Sequence, residues 1–505
     1  MQLVNQLQLT AKAAPTRRVW IPKPGKDERR PLGILTMHDR ALQTLVKLAL
    51  EPEWEAKFET NSFGFRPGRS CHDAIEAVFN VIKMQPKYAL DADISQCFNH
   101  IDHGALLRKV GTFSLIERLL RAWLKAGVID EGKLFPTEEG TPQGGCVSPL
   151  LMNIALHGLE TSIRQAFPGS ITANGKRLQN WKPMVIRYAD DFVILHPDLS
   201  VIQQCQQIAQ KWLQGMGLEL KPSKTRITHT LNQVDGSAGF EFLGVNIRQD
   251  KVSKYASKQG FKTFIKPSQQ KVKLHYQQLA SIVKAHKVAS QADLIARLNP
   301  VIRGWSNYYA TVVSKETFSS LDNRLFIKLC CWAHRRHPQK SKTWIARKYW
   351  QLTQEDGRTF ARSDGHKLLR HSETPIQRHI KVQGERSPYD GDWSYWATRL
   401  GRHPELPLRV AALLKRQQGN CLECGLYFTS DDLLEVHHVD GNHSNHKWKN
   451  LALVHRHCHD QVHGKQGELS NTLGSHDKSQ FVEEPCDGKP SSTVLKTSRL
   501  GDGAA

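Results

Sequence analysis

Apolar and polar positions follow the pattern of short β-strands and turns through much of the first half of the chain. In the segment Val185–Leu195, two runs of β-branched and other apolar residues flank the tetrad Tyr-Ala-Asp-Asp at 188–191. This pattern predicts a β-hairpin with Asp190 and Asp191 at its tip. Adjacent carboxylates in an apolar segment are costly unless a cation lies between them. The hairpin therefore favours a divalent-metal site, and a solvated Asp-Asp turn is the alternative.

Other segments carry the same kinds of pattern. Tyr88–Asp93 predicts a buried strand that ends in acids, and Asp91 and Asp93 share one face of it. Either carboxylate can therefore point toward the metal site. The Gly-rich segment Gly140–Pro149 predicts a loop that allows close backbone approach to a ligand, and it matches neither common phosphate-binding glycine motif. Apolar residues at helical spacing predict a core helix over Ala41–Leu50.

Composition adds a polyanionic partner to this picture. The 505 residues include 70 Lys and Arg against 48 Asp and Glu, a net charge of +22, which favours nucleic acid as the partner. The length predicts several domains. The sequence shows neither a run of about 18 apolar residues nor a secretory leader, so we expect a protein that neither spans a membrane nor is secreted. The ten scattered cysteines indicate a reducing compartment.

Positive charge is concentrated in residues 251–350, which contain 20 Lys and Arg and 3 acids. Apolar residues recur there at helical spacing, as at Phe318, Leu321 and Leu325. The pattern predicts a helical bundle with a basic face, which would bind the phosphate backbone of a nucleic acid. A basic helical domain without a ligand is the alternative.

The segment 421–463 contains ligands for two metal sites. Cys421, Cys424 and Cys458 have zinc-knuckle spacing, and His455 stands at the fourth position. Histidine is an acceptable zinc ligand, so these residues predict a structural Cys₃His zinc site. In so small a domain, the zinc would supply much of the folding free energy.

The remaining histidines of this segment predict a catalytic ion. His459 and His463 lie four residues apart on one helical face and, together with His437, would hold an ion with open coordination positions. His438 would then be the base that activates water toward a phosphodiester. The alternative is that all these residues bind structural zinc. The arrangement resembles the HNH, or ββα-metal, nucleases, and this resemblance implies that Asn450 positions the loop of the base. The ion would be Mg²⁺, Mn²⁺ or Zn²⁺.

The order of short motifs resembles that of the reverse transcriptase–maturases encoded by group II introns. The motifs are Ile21-Pro-Lys, Phe63-Gly-Phe-Arg-Pro-Gly-Arg-Ser, Asp91-Ala-Asp-Ile with Phe98, Pro142-Gln-Gly, Tyr188-Ala-Asp-Asp, Lys224-Thr and Phe242-Leu-Gly. The resemblance extends from about Arg17 to His463. It implies an α+β multidomain fold with fingers and palm of a right-hand polymerase over 1–250. It further implies an α-helical thumb (maturase) domain over 251–350, a DNA-binding or linker region over 351–412 and the HNH domain over 413–465. The polar composition of 466–505 predicts a disordered tail.

The resemblance also implies roles for individual residues. Asp93, Asp190 and Asp191 would hold two catalytic Mg²⁺ ions. Lys224 would in addition protonate the leaving pyrophosphate. The positions that would contact the incoming nucleotide or template are Lys23, Arg30, Phe98, Gln143 and Lys224. The block Arg303–Tyr309 matches the thumb motif of the family, and RNA binding is expected at Arg303, Trp305, Tyr308 and Tyr309.

The function implied is an RNA-directed DNA polymerase that also binds group II intron RNA to assist splicing and nicks target DNA to prime reverse transcription. Its partners would be the intron RNA, the target DNA, the template–primer duplex and dNTPs, without a membrane, as a monomer or a dimer. It would work in a bacterial-type cytoplasm or an organelle. Only sixteen residues precede Arg17, where the family normally has an extension that grips RNA. This departure leaves two alternatives, an RNA-binding maturase without effective polymerase activity and a nuclease with a vestigial palm.

Overall fold

The chain divides between Asp392 and Trp393 into two units. The computed structural model describes residues 13–22, 28–173, 176–234, 236, 238–353, 357–403, 406–429 and 431–470. Lys23, the first twelve residues and the tail beyond Ser470 lie outside the described residues. Among the helices described, none combines the length and apolar character needed to cross a membrane.

The first unit contains fifteen of the strands. They are β1 Thr16–Pro22, β2 Arg29–Ile34, β3 Tyr88–Asp93, β4 Val128–Asp130, β5 Lys133–Phe135, β6 Ser170–Ala173, β7 Lys176–Gln179, β8 Met184–Tyr188, β9 Asp191–His196, β10 Arg226–His229, β11 Phe240–Phe242, β12 Val245–Lys251, β13 Phe261–Pro267, β14 Trp350–Thr353 and β15 Gly357–Phe360.

Some helices of the first unit pack around these sheets, and those from Gln269 onward form the thumb. They are α1 Met37–Lys57, α2 Cys71–Ile82, α3 Cys97–His100, α4 His103–Val110, α5 Ser114–Leu124, α6 Ser148–Leu156, α7 Leu159–Gln165, α8 Leu199–Gln214, α9 Gln269–Ala285, α10 Gln291–Tyr309, α11 Lys315–Arg336 and α12 Lys342–Tyr349. Short 3₁₀ turns lie at Pro222–Lys224 and His371–Glu373.

The predicted hairpin lies at the centre of the palm. β8 and β9 pair antiparallel so that Tyr188 faces Asp191, which leaves Ala189 and Asp190 as a two-residue turn. The sheet has the order β10-β3-β9-β8. Phe192 and other side chains of its strands are fully buried against the surrounding helices. The two apolar runs therefore give the predicted hairpin, and burial of their side chains fixes the hairpin within the unit.

The fingers are built from a second sheet of order β2-β1-β4-β5 and from α1. The predicted helix over Ala41–Leu50 is longer at both ends, because Thr36 caps its first turn and accepts a hydrogen bond from the Asp39 amide at 3.1 Å. Its buried face includes Leu42, Val46 and Leu50. The predicted core helix is thus confirmed.

The helical bundle of the thumb begins later than predicted. Residues 261–267 form β13, which pairs antiparallel with β12, so the helices begin at Gln269 rather than at residue 251. Within the bundle, Phe318, Leu321 and Leu325 are buried as their spacing predicted. The prediction of helix for 251–267 was wrong because the helical spacing that supported it lies further along the chain, at Phe318 to Leu325, whereas residues 261–267 pair with β12.

The second unit is small and has the ββα order expected from its histidine pattern. Its elements are β16 Leu434–His438, β17 Leu451–His455, α13 Trp393–Leu400, α14 Leu408–Arg416, α15 Arg456–Ser470 and the 3₁₀ turn Trp448–Asn450. β16 and β17 pair antiparallel. Their core includes Phe428, Leu453 and Leu414, each almost fully buried.

Candidate active sites

The three aspartates of the palm lie at one end of its sheet. Asp93 is the last residue of β3 and pairs directly with Asp191, the first residue of β9. Asp190 occupies the turn, and its carbonyl accepts a hydrogen bond from the Ile94 amide at 3.3 Å. Two strands that are distant in sequence therefore bring the carboxylates together. Asp91 lies two residues further from this end, opposite Val193 on β9 and Arg226 on β10, so of the two acids on β3 it is Asp93 that lies next to the hairpin tip.

The carboxylates at this end of the sheet favour the binding of a cation. Burial raises the pKa of Asp191 to about 7, and the nearby carboxylates of Asp190 and Asp93 add to the shift. Burial likewise raises the pKa of Asp190, with a further contribution from Asp93. Carboxylates that repel one another in a partly buried site form a donor set suited to divalent metal.

Lys224 supplies one positive charge to this set. It lies at the end of a 3₁₀ turn, and its ammonium group donates a hydrogen bond to the Asp93 carboxylate. Partial burial alone lowers the pKa of Lys224, but the bond to Asp93 and the other carboxylates outweigh burial, so its pKa lies above the usual value. Among the described residues, the ligand atoms of each of the two His/Cys clusters lie within 4.8 Å of one another. The carboxylate oxygens of the three aspartates are further apart than this.

A buried arginine holds the hairpin in place through hydrogen bonds. Arg187 on β8 is 3% exposed, and its guanidinium donates hydrogen bonds to the Asn153 side chain at 3.1 Å and to the Ala189 carbonyl at 3.2 Å. Burial lowers its pKa to about 10, which still leaves the side chain charged at neutral pH. Ala189 has a φ of +59°, a left-handed conformation that a non-glycine residue adopts only when its surroundings hold it there.

A loop from the preceding helix forms the other support of the hairpin. The Phe63 amide donates to the Arg187 carbonyl at 2.9 Å, so this loop pairs with β8. Next to it, a Cβ atom on Gly64 would lie 2.2 Å from the Ala189 nitrogen. Only glycine allows this approach of the two backbones. We call residues 61–69 the seat of the hairpin.

The positions expected to contact the nucleotide lie beside the palm where the structure describes them. Phe98 and Gln143 line a cavity of about 300 Å³. The Phe98 ring meets Phe65 edge to face with 6.2 Å between centroids. Arg30 lies exposed on β2, and its positive charge is among the influences that lower the pKa of Asp190. Lys23 is outside the described residues, and the nucleotide contacts stay predictions.

The thumb block lines a groove of about 1110 Å³ together with Tyr188 and Asp191. Two tyrosine hydroxyls of this block are used inside the protein, because Tyr308 donates to the Leu243 carbonyl at 2.7 Å and Tyr309 to the Gly244 carbonyl at 3.0 Å. Trp305 stacks on His275 with 4.5 Å between ring centroids. Arg303 is exposed. RNA contact by these four residues stays a prediction.

The cysteine-rich part of the second unit forms a closed ligand cluster. The ligand atoms of Cys421, Cys424, His455 and Cys458 all lie within 4.8 Å of one another. The Cys424 sulfur is 3.4 Å from His455 Nδ1, which leaves Nε2 to face Asp432 at 3.5 Å. A carboxylate on the outer nitrogen orients a histidine ligand. Three sulfurs and a nitrogen fit tetrahedral zinc.

The second ligand cluster contains three histidines. His437, His459 and His463 also have ligand atoms within 4.8 Å of one another, and the two Nε2 atoms of the helical pair are 3.1 Å apart. His437 Nδ1 is buried and has no hydrogen-bond partner among the described residues. A buried nitrogen without a partner is costly, so the trio fits an ion with open coordination positions.

Asn450 organises the loop that follows the expected base. Its side-chain oxygen accepts from the Asp440 amide at 2.9 Å, and its side-chain nitrogen donates to the Asn445 carbonyl at 2.9 Å. Its carbonyl accepts from the Val439 amide at 2.8 Å. His438, just before this loop, lies with Nε2 3.5 Å from His446 Nδ1. This geometry suits a positioning asparagine, and the catalytic roles of both residues stay predictions.

Sequence reasoning overlooked the residues that support the palm site. Arg187 stands in the hairpin segment and Gly64 in one of the family motifs, but neither was predicted to support the aspartates. A charged residue within an otherwise apolar strand was the available signal for Arg187, since buried charges need partners. Asn153, whose side chain bonds Arg187, gave no such signal. A helical sequence does not indicate which distant group an amide side chain will contact.

Three known families match successive parts of the chain. Residues 21–247 match the reverse transcriptase (RNA-dependent DNA polymerase) family, residues 272–350 match the group II intron, maturase-specific domain, and residues 421–465 match the HNH endonuclease family. The three palm aspartates lie within the first match and both ligand clusters within the third.

Curated relatives agree with these matches. Protein YkfC of Escherichia coli (strain K12) is 34% identical over 46% of this chain and 66% of its own length. The group II intron-encoded protein LtrA of Lactococcus lactis subsp. cremoris is 30% identical over 46% of this chain and 47% of its own length. The chain therefore spans less than two thirds of either relative.

Among solved structures, the chain shows a low similarity to a telomerase from Candida albicans in complex with a fragment of telomeric RNA. The TM-score is 0.38 at 11% identity, over 67% of this chain and 65% of that chain. This level carries no functional information. The three family matches show that the chain combines a reverse transcriptase domain, a group II intron maturase-specific domain and an HNH endonuclease domain, in that order.

Proposed function

We propose that this chain is an RNA-directed DNA polymerase that binds its intron RNA to assist splicing and nicks target DNA to obtain a primer. The observation that carries the proposal is the pairing of Asp93 with Asp191 next to the Asp190 turn, because this arrangement joins mutually repelling carboxylates that need divalent metal. The two His/Cys clusters of the second unit support the nuclease. Nicking yields the 3′-hydroxyl that a polymerase extends, so the two chemistries form one sequence of steps.

In the polymerase, Asp93, Asp190 and Asp191 would hold two Mg²⁺ ions. Bound there, the ions would lower the pKa of the primer hydroxyl and neutralise charge on the transferred phosphate. The residues of the chain itself hold the geometry, since Arg187 and the seat fix the hairpin tip. Lys224, with a raised pKa, carries its proton at neutral pH and would give that proton to the leaving pyrophosphate.

In the nuclease, His437, His459 and His463 would hold Mg²⁺, Mn²⁺ or Zn²⁺, which would stabilise charge on the scissile phosphate. His438 would take a proton from the attacking water, and Asn450 would hold the adjoining loop in place. The Cys₃His cluster would bind Zn²⁺ and stabilise the small unit.

The partners follow from the charge of the thumb. Its basic helices would hold the template–primer duplex and the intron RNA, while dNTPs would enter beside Phe98 and Gln143. We assign nucleotide addition to the part of the first unit before Gln269, the thumb to the helices from Gln269 to Tyr349 and nicking to the second unit, which begins at Trp393. The residues between the thumb and the second unit would form a DNA-binding or linker region, and we place the protein in a bacterial-type cytoplasm or an organelle.

Primer extension on an RNA template with Mg²⁺ tests the polymerase. We expect Asp190→Ala to abolish extension and to leave both splicing and nicking intact. Asp364→Ala is the matched control, because this aspartate is exposed and bonds nearby surface residues such as His366. An inactive wild-type protein that still supports splicing would refute the polymerase and favour a maturase function. Loss of splicing in a folded Asp190→Ala protein would refute the separation of the two activities.

Nicking of a plasmid that carries the target site tests the nuclease. We expect His438→Ala to abolish nicking while extension of a supplied primer continues. Asp190→Ala is the reciprocal control, since it should nick without extending. Nicking by His438→Ala at the wild-type rate would show that another group activates the water.

A further inference from the structure

Residues 370–389 leave the thumb and return to the palm, and we call them the return segment. The segment is first attached to the thumb, where the His371 amide donates to Asp322 on α11 at 2.9 Å. It then passes the end of α10, where the Gln377 amide donates to the Ala310 carbonyl at 2.9 Å. From sequence alone this region was an irregular linker. In the structure it bridges two parts of the first unit.

The return segment reaches the palm at one buried carboxylate. Asp73 is fully buried at the start of α2. One of its oxygens accepts hydrogen bonds from the Ser70 amide at 2.8 Å and from the Ser70 hydroxyl at 2.9 Å. The other accepts from the Val382 amide at 2.8 Å and lies 3.1 Å from His379 Nε2. A buried carboxylate needs such donors, so Asp73 joins the return segment to the helix that follows the seat.

Further contacts join the return segment to the seat itself. The Arg69 guanidinium donates to the Arg386 carbonyl at 3.1 Å. The Lys381 ammonium lies 5.8 Å from the centre of the Phe63 ring. Phe63 in turn pairs with β8 and precedes Gly64, which touches Ala189 in the catalytic turn. A continuous set of contacts therefore leads from the return segment to the turn that carries Asp190.

We propose that the return segment positions the catalytic hairpin through the contacts of His379 and Val382 with Asp73, which makes His379 and Asp73 positioning residues for nucleotide addition. Neither side chain is part of the carboxylate site, so they act through the seat. The kinetic part of this inference rests on the proposed polymerase function. The structural part, that His379 restrains the seat and the hairpin, does not.

Two measurements on the full chain separate these parts. Hydrogen–deuterium exchange follows the Phe63 and Arg187 amides, which form the hydrogen bonds between the seat and β8. Primer extension at saturating template–primer and dNTP gives kcat. We expect His379→Ala to speed exchange in both peptides and to lower kcat about tenfold, because a looser seat lets Asp190 shift and a misplacement of about 1 Å at reacting groups costs roughly 100-fold in rate. His379→Gln retains a donor for Asp73 and should restore both values.

His366→Ala is the matched control, because His366 is an exposed histidine a few residues earlier in the same region and contacts Asp364. It should leave exchange and kcat unchanged. Unchanged exchange at the seat in His379→Ala overturns the inference whatever the activity. A fall in kcat that His379→Gln does not rescue, or that follows a drop in Tm alone, also overturns it. If the wild-type chain cannot extend a primer but His379→Ala still speeds exchange at the seat, the structural part of the inference is supported and the proposed polymerase function is refuted.

Discussion

The close approach of Gly64 to Ala189 gives a sharp test of how the turn that carries Asp190 is held. Replacing Gly64 by Ala adds a single methyl group, and Gly64 does not have a positive φ, so the backbone itself permits the change. The new Cβ would lie 2.2 Å from the Ala189 nitrogen and 2.9 Å from the Ala189 Cα. Non-bonded carbon and nitrogen atoms rest about 3.5 Å apart. One of the two backbones must therefore move by about 1 Å.

Neither side of this contact can move freely. The Gly64 carbonyl accepts a hydrogen bond from the Asn153 side chain at 2.8 Å, and the neighbouring Phe63 amide is bonded to β8. Ala189 is held in its left-handed conformation by the hairpin and by Arg187. We therefore expect the shift to reach Asp190, the next residue. A misplacement of about 1 Å at reacting groups costs roughly 100-fold in rate, and overpacking costs about 1–3 kcal/mol of stability.

The assay is steady-state primer extension with Mg²⁺, with kcat measured at saturating template–primer. Gly64→Ala should lower kcat about 100-fold while nicking by the second unit is retained. Gly169→Ala is the control, because a Cβ there would meet no atom within 4 Å. A Gly64→Ala protein with wild-type kcat would refute the reasoning, since it would mean that the turn and the seat separate without consequence for the carboxylates.

Two further predictions concern other parts of the chain. Burial, with a smaller contribution from His371, lowers the pKa of His275 to about 3, so acidification protonates the unfolded chain first and stability should fall by about 1 kcal/mol between pH 6.5 and 5.5. Thermal unfolding of His275→Gln should show a flatter decline over this range, and an unchanged slope would contradict the assignment. Cys421→Ser should remove one zinc per chain by elemental analysis and abolish nicking while primer extension continues. Full zinc content in that variant would exclude the Cys₃His site.

Periodicity and spacing predicted much of this protein because the causes are local. Two short runs of β-branched and other apolar residues predicted the β8–β9 hairpin, and helical spacing predicted the buried faces of α1 and α11. The ligand positions of the second unit were readable because Cys421 and Cys424, and likewise His459 and His463, lie within one turn of each other. The resemblance to a known family then supplied Asp93, which no local pattern singles out from Asp91.

The residues suited to bind metal or phosphate could be identified from the sequence. They are the paired aspartates, the two Cys/His groups with metal-ligand spacing and the basic residues of the thumb. The tertiary structure alone decided how they are held. Strand register placed Asp93 against Asp191, an amide from a distant helix reached the Gly64 carbonyl, and Asp73 joined residues about three hundred positions away. These contacts depend on packing between segments that have no sequence relation to each other. A hydrogen bond or a close backbone approach depends on where the backbones of both segments run. The local sequence of one segment specifies only the conformation of that segment, so it cannot specify the contact.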